Sequence, residues 1–533
     1  MEALQTVFIN LAPLTAALVG VLLAARAWGV AAPTVKKALT VVLLVLLALH
    51  LIVFTHSALR YVNYPYEGKS VVEGVTLFNA VKYLDGEQPY RDPTEAPFRS
   101  LVYPPVYEMM LAGVVAILGP SLVAGRLFSL LCALGTAFVC GLIVWRHTRN
   151  KLASVFGGLF FICCYNITGQ CLELVRSDAL MALLTVLGLY LVEGAVERGR
   201  RPIAGGIVLL LALYTKQPAI LGAAAVVIWL WFRSRRMALE WGASFLAAAI
   251  AVFVGMQIWS DGWFAFYILK VPALVGMKLD QIQWAAIFVQ ELWIILWGVV
   301  AFTVFLLGQL FRAKRVEDNS SSEDSTPRAK LWAIAFVPAL LLSLLQSLKW
   351  GGIMNAFIPV TPFLGILGGI AFHHGMERFK TTTWAQLAVL SAAAMQIAIL
   401  AYGPILPIAE DRTAQERIGK LVRSAPSDVF VSWFSSQSYL NGKTYFGDNV
   451  PMGDLVTAGL WRGNAVVEKT EQKGFSLMIL RVNIEPPDLA EAVRQNYQVV
   501  DRIPIRGAAA NLPYMMVCVP KPVSPPPKKG IKK

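Results

Sequence analysis

Two acids stand close together in one polar, aromatic segment. Glu67 lies in Tyr64-Pro65-Tyr66-Glu67-Gly68 and Glu73 in the Glu73-Gly74 that follows. A carboxylate just beyond an apolar helix suits one kind of chemistry. If a sugar is handed from a lipid phosphate, the leaving group is already good and no general acid is needed. A base for the acceptor hydroxyl and a cation for the departing phosphate are enough. Glu67 is the candidate base, and the plainer alternative is a solvated loop acid. Glu73 lies six residues on, about 1.7 helical turns. It would not share a helix face with Glu67 and is read as structural or substrate-positioning.

Charges at the ends of apolar stretches are the other candidates. Leu172-Glu173-Leu174-Val175-Arg176-Ser177-Asp178 opens one such stretch, and Thr215-Lys216-Gln217-Pro218 interrupts another. An ionisable group costs about 2.5–3.5 kcal/mol at the centre of a membrane span and less at its rim. Asp178 is expected to face the same cavity as Glu67, orienting the acceptor or helping to hold a metal. Arg176 and Lys216 are expected to meet phosphate, with Arg126 a weaker analogue. Asn355, in Trp350-Gly351-Gly352-Ile353-Met354-Asn355, adds a polar handle beside two glycines that admit a close ligand. The plainer alternatives are a helix cap at Ser177 or Asp178, a snorkelling lysine and an ordinary turn.

The elements that must position these groups are apolar helices. Of 533 residues, 56% are hydrophobic and 15% charged, against about 25% charged in ordinary globular chains. Mean hydropathy is +0.59. A soluble chain this apolar could not cover its surface with polar groups, and disorder is excluded on the same grounds. Six cysteines are too sparse for a secreted disulfide scaffold. The charge of +14 is read as basic cytoplasmic loops rather than a nucleic-acid surface, since no basic stripe with interleaved aromatics is present.

Twelve stretches approach the roughly 20 apolar residues that a crossing helix needs. They lie near 6–26, 38–58, 122–145, 152–170, 178–195, 203–215, 218–232, 238–258, 285–311, 331–348, 354–373 and 384–404. The pair around Thr215–Pro218 is short enough to be one broken helix. The first stretch lacks a basic start and a cleavage site, and is read as a retained helix. With an outside N-terminus, every basic cluster falls inside: Lys36-Lys37, 146–151, 198–201, 233–236, 312–330 and 378–380. Segment 107–118 is too short to span and is read as interfacial or re-entrant.

The chain is therefore expected to be an all-α polytopic membrane protein with a small extracytoplasmic α/β domain at its C-terminal end. The expected parts are two N-terminal helices (1–59), a catalytic first outer loop (60–120), a helical core (121–404), the outer domain (405–519) and a disordered tail (520–533). Short alternating runs at 429–433, 476–482 and 514–519 mark strands of the outer domain. The acidic, Ser-rich run within 312–330 is read as a cytoplasmic linker. His373-His374 has no partner at metal spacing, and a Cys171–Cys518 disulfide is conceivable but unsupported. No Walker loop, dinucleotide fingerprint, zinc motif or serine-nucleophile elbow is present.

Taken in order, several segments resemble the GT-C superfamily of integral-membrane glycosyltransferases. They are Tyr64-Pro65-Tyr66-Glu67-Gly68, Gly86-Glu87-Gln88-Pro89-Tyr90-Arg91-Asp92, Tyr103-Pro104-Pro105-Val106-Tyr107, Gly125-Arg126-Leu127-Phe128-Ser129, Arg176-Ser177-Asp178, Thr215-Lys216-Gln217 and Gly351-Gly352-Ile353-Met354-Asn355. The chain looks most like the family-39-like bacterial proteins that share a domain with lipopolysaccharide-core galacturonosyltransferases, over about residues 40–375. The resemblance implies a GT-C-type fold of about 12 transmembrane helices in the bacterial inner membrane. It implies a polyprenyl-phosphate-linked sugar as donor and a glycan or lipid hydroxyl as acceptor. Transfer would be inverting, at the outer face, with Glu67 as base. Tyr103 falls in a segment that lies near the lipid phosphate in the family. Many members carry adjacent acids in the first loop. Tyr66-Glu67-Gly68 offers one, so no metal is expected to be required, although a divalent ion is conceivable. The competing reading is a transporter or flippase of lipid-linked glycans. The absence of paired repeats and the rim placement of the charges weigh against it.

Overall fold

The computed structural model describes residues 10–70, 72–95, 98, 102–313, 329–349, 353–447, 449–461, 464–482, 486–506 and 513–522. The acidic run of the expected linker, the Trp350-Gly351-Gly352 tripeptide and the tail from 523 lie outside the described residues.

Each expected apolar stretch contains a helix. They are Leu11–Ala27, Ala32–Val62, Leu122–Thr148, Lys151–Cys163, Ser177–Glu197, Ile203–Leu213, Ile220–Arg233, Arg235–Trp259, Ile282–Ala313, Lys330–Ser347, Thr361–Arg378 and Thr383–Ile399. In lipid, every backbone polar group must be paired within the segment, which makes the helix the solution for such runs. Among the described residues, six helices are long and apolar enough to cross a membrane by length and composition. The stretch expected at 152–170 is helical only to Cys163, and turns carry the chain on to Arg176.

Capping residues set the helix ends. Ser121 accepts from Ala124 N at 3.2 Å and Asn150 from Ala153 N at 3.0 Å, each satisfying an unpaired N–H of a first turn. The stretch near Thr215–Pro218 is broken as the residues require. Pro218 lacks an N–H and disfavours helical backbone at Gln217. Helix Ile203–Leu213 stops before it, and a short 3₁₀ turn, Gln217–Ala219, leads into the next helix.

The chain divides into two compact units. One comprises Met1–Pro65, Tyr103–Trp259 and Val275–Leu406. Its core includes a close crossing of helices Lys151–Cys163 and Thr361–Arg378. A Cβ on Gly157 would stand 2.8 Å from the Gly365 carbonyl oxygen, and one on Gly365 would overlap the Gly157 carbonyl oxygen. Small residues permit this approach, which drives helix association where water supplies no force. Helix Val106–Leu118 also belongs to this unit. Its 13 residues extend about 20 Å, short of the roughly 30 Å hydrocarbon core.

The other unit comprises Tyr66–Val102, Ser260–Leu274 and Pro407–Lys533. Its four-stranded sheet contains β1 (Val429–Val431), β2 (Leu477–Arg481), β3 (Tyr497–Pro504) and β4 (Tyr514–Pro520), in the order β1-β2-β4-β3. β1 and β2 are parallel, and the other pairs antiparallel. Helix Ala409–Ser424 lays Ala414, Ile418 and Val422, at helical spacing, onto Val429, Val431, Ile479 and Val517. β3 was not among the expected strands. It is an edge strand with a bulge between Val499 and Asp501, and its exposed Val499 and Val500 break the apolar-polar alternation. All six cysteines are buried and none forms a disulfide.

Candidate active site

In the helical unit, Arg176, Asp178, Lys216 and Tyr103 come together. Lys216 Nζ donates to Asp178 Oδ1 at 2.5 Å, and Arg176 Nε to Asp178 Oδ2 at 3.2 Å. Lys216 Nζ also lies 4.8 Å from the centre of the Tyr103 ring, within cation–π range. Asp178 is 1% exposed and Lys216 8%. Burial by itself would lower the pKa of the Lys216 ammonium. The Asp178 carboxylate offsets this and holds it above the ordinary lysine value, so the group stays charged.

Local chain geometry places each member. Arg176 is the N-cap residue of Ser177–Glu197, in extended backbone, and no side chain caps that helix. Asp178 therefore sits in the first turn, where a negative charge is favoured, with its carboxylate turned to the two cations rather than to the backbone. Lys216 is held by the break before Pro218. Pro104-Pro105 ends the preceding segment, and Val106 N donates to the Tyr214 carbonyl at 2.9 Å, which brings Tyr103 beside Lys216. The same unit contains a small apolar recess. Met181, one turn beyond Asp178, and Pro218 line it together with Thr185, Gly222, Ala335 and Phe363.

Arg126 is placed differently. It is fully buried, and its Nη1 donates to the carbonyls of Tyr61, at 3.0 Å, and Tyr64, at 2.5 Å. The guanidinium also lies 4.1 Å over the Tyr61 ring. These bonds anchor the end of helix Ala32–Val62. Asn355 is buried in the 3₁₀ turn Met354–Phe357, with its backbone N near Gly169.

Glu67 and Glu73 belong to the other unit, and both are buried. Glu67 Oε1 accepts from Gly74 N at 3.1 Å. Oε2 accepts from Ser436 N at 3.0 Å and Ser436 Oγ at 2.5 Å. Gly74 is in the first turn of helix Val72–Leu84, where N–H groups have no intrahelical partner. A Cβ on Gly74 would overlap Glu67 Oε1, so only glycine admits the carboxylate. N–H and O–H donors aimed at a carboxylate stabilise its charged form, the form able to take a proton. Gln415 Nε2 donates to the Glu67 carbonyl at 3.3 Å, and Tyr439 OH to the Gly74 carbonyl at 3.0 Å. Burial, then the charges of Glu67 and Glu73, push the Tyr439 hydroxyl well up, so it remains a neutral donor.

Ser436, Gln415 and Tyr439 did not stand out in the sequence. Ser436 follows Glu67 by 369 residues and sits in an unremarkable Ser-rich turn, so local pattern could not have found it. Among the described residues, no three of His, Cys, Asp or Glu gather in a way that could hold a metal ion.

Residues 102–259 match the family model described as dolichyl-phosphate-mannose-protein mannosyltransferase. That segment carries Tyr103, Arg126, Arg176, Asp178 and Lys216. No curated protein sequence matches the chain significantly. Among solved structures, it is similar to ArnT from Cupriavidus metallidurans in the apo state, with TM-score 0.53 and 14% identity over 89% of this chain and 97% of that one. It is also similar to the same ArnT bound to undecaprenyl phosphate, with TM-score 0.54 and 13% identity over the same shares. The chain therefore shares its fold with these structures, and its residues 102–259 resemble that mannosyltransferase family.

Proposed function

We propose that the protein transfers a sugar from a polyprenyl-phosphate donor to a glycan or lipid hydroxyl, with inversion, at the outer face of the bacterial inner membrane. The observation that carries this reading is the buried ion group. Two cations, Lys216 and Arg176, converge on the carboxylate of Asp178. Positive charge in excess at such a buried spot is costly, and a phosphate offsets it. The ArnT structure with undecaprenyl phosphate supports a lipid phosphate as the ligand of this fold.

In this mechanism Lys216 and Arg176 hold the phosphate and stabilise the charge it gains as the bond to sugar C1 breaks. Tyr103 packs on Lys216 and fixes its direction. Asp178 orients the two cations and the acceptor. Glu67 takes the acceptor's proton, and the resulting oxygen bonds to C1 from the face opposite the phosphate. Glu73 shapes the segment that carries Glu67, and Asn355 lines the site as a polar contact. No step requires a metal.

The test is release of polyprenyl phosphate from a panel of lipid-linked sugars. Purified protein in lipid is compared with Glu67→Gln, with and without chelator, using a crude envelope extract as acceptor. Glu67-dependent release from one donor is the expected result. Movement of an intact lipid-linked sugar across liposomes without cleavage would replace this reading with a transporter.

A further inference from the structure

We propose that Ser436 guards the Glu67 carboxylate against water, so that the sugar leaves its carrier only when an acceptor hydroxyl displaces the serine hydroxyl. The inference rests on the reading of Glu67 as the base. Ser436 Oγ donates to Glu67 Oε2 at 2.5 Å, in the range for an O–H group on a carboxylate. An acceptor hydroxyl about to lose its proton needs the same position, so Ser436 stands where the nucleophile must come. Both residues are 2% exposed, and water does not reach this seat while the serine fills it.

The risk that such a guard removes is hydrolysis. Water on Oε2 would give its proton to Glu67 while its oxygen bonded to C1. The C1–O bond to phosphate would break with its electron pair leaving on the phosphate. The products would be free sugar and polyprenyl phosphate, a loss of donor without transfer. Water is small and abundant, so exclusion must be built into the protein.

The surrounding segment is pinned so that little besides the Ser436 side chain has to turn. At the entry, Trp433 has positive φ, +74°, and the Arg481 guanidinium lies 4.8 Å over its ring. At the exit, Tyr439 is tied to the Gly74 carbonyl. Between them, Gln437 Nε2 donates to Gln415 Oε1 at 2.9 Å, and Gln415 reaches the Glu67 carbonyl. Ser436 N also donates to Oε2. Glu67 therefore keeps a backbone donor when the hydroxyl rotates away.

The experiment uses the full chain in lipid with the same donor panel. Free sugar is measured without acceptor, and transferred sugar with envelope extract. Ser436→Ala keeps the backbone donor and opens the seat. It is expected to raise the ratio of hydrolysis to transfer at least tenfold, with Ser436→Thr returning it towards the parent value. Ser436→Cys, similar in size but a weak donor, should leak as the alanine variant does, which covers the case in which alanine impairs folding. Adding Glu67→Gln to Ser436→Ala should abolish the leak. Glu67-dependent release with an unchanged ratio in Ser436→Ala and Ser436→Cys would overturn the guard alone. Absence of both hydrolysis and transfer from every donor, in the parent and the variants, would overturn the donor reading with it. A sugar found on Ser436 by mass spectrometry would make it an acceptor and also overturn the guard.

Discussion

Lys216 Nζ stands 2.5 Å from Asp178 Oδ1, with both side chains buried and Arg176 on the other carboxylate oxygen. The lysine comes from a helix break and the aspartate from a helix start 38 residues earlier. Each charge lies at the end of an apolar helix, where alone it would be a liability. Paired, they offset one another, and the carboxylate sets the direction of both cations.

Removal of Lys216 should separate binding from folding. Lys216→Met leaves Asp178 with one cation and is expected to lower kcat/KM for donor cleavage at least a hundredfold, about 2.7 kcal/mol. Breaking a buried pair from one side costs about 3–5 kcal/mol of stability. Adding Asp178→Asn strands Arg176 without its carboxylate and should lower Tm further, with no activity regained. Thermal unfolding and polyprenyl phosphate release on the same samples check this; recovered activity in the double variant would remove Lys216 from the phosphate.

Glu67→Gln should abolish transfer at a modest cost in stability. A glutamine presents its NH₂ to either Gly74 N–H or the Ser436 donors, and one donor then faces another. An unsatisfied buried donor costs about 1–3 kcal/mol. The variant is expected to stay folded with a lowered Tm. Activity close to the parent's would dismiss Glu67 as the base.

Arg126→Gln should act on folding first. Its carbonyl bonds and its stacking on Tyr61 hold the end of helix Ala32–Val62. Their loss from a fully buried position should lower stability by several kcal/mol. Unfolding temperature and donor KM, measured together, separate the roles. A raised KM with an unchanged unfolding temperature would assign Arg126 to the phosphate instead.

Asp454, in helix Asn449–Thr457, should make stability depend on pH. Burial pushes its carboxyl up to about 7. The unfolded chain releases this proton near pH 4, whereas the folded chain keeps it to about pH 7. Between these values the unfolded state binds fewer protons, so this residue's contribution falls as pH rises. Asp454→Asn should flatten that slope in thermal unfolding between about pH 4 and 8. Equal slopes in the two proteins would show that Asp454 titrates normally.

Gly365→Ala should test the helix crossing. The added Cβ meets the Gly157 carbonyl oxygen, a backbone atom that cannot turn aside. Overpacking of this kind costs about 1–3 kcal/mol, read as a lowered unfolding temperature in detergent. An unchanged temperature would mean that the helices separate freely.

The helices were legible because their cause is local. A bilayer leaves an apolar run of this length one way to pair its backbone, and Pro218 interrupts it where its chemistry demands. Charges such as Arg176, Asp178 and Lys216 stood out for the same reason, since an ionisable group at the end of such a run is conspicuous against its neighbours. β3 was less legible, because an exposed, bulged edge strand has no apolar-polar alternation to reveal it.

By itself, then, the sequence determined the membrane class, the helix positions, the α/β character of the C-terminal region and the short roll of candidate charges. Only the tertiary structure decided what each charge meets. It gave Arg126 to backbone carbonyls, gathered Tyr103 and Lys216 around Asp178, and brought Ser436 to Glu67 from 369 residues away. The physical reason is that a span is dictated by interactions within about 20 residues. A hydrogen bond to a buried carboxylate depends on which distant donor the packed chain delivers to within about 3 Å.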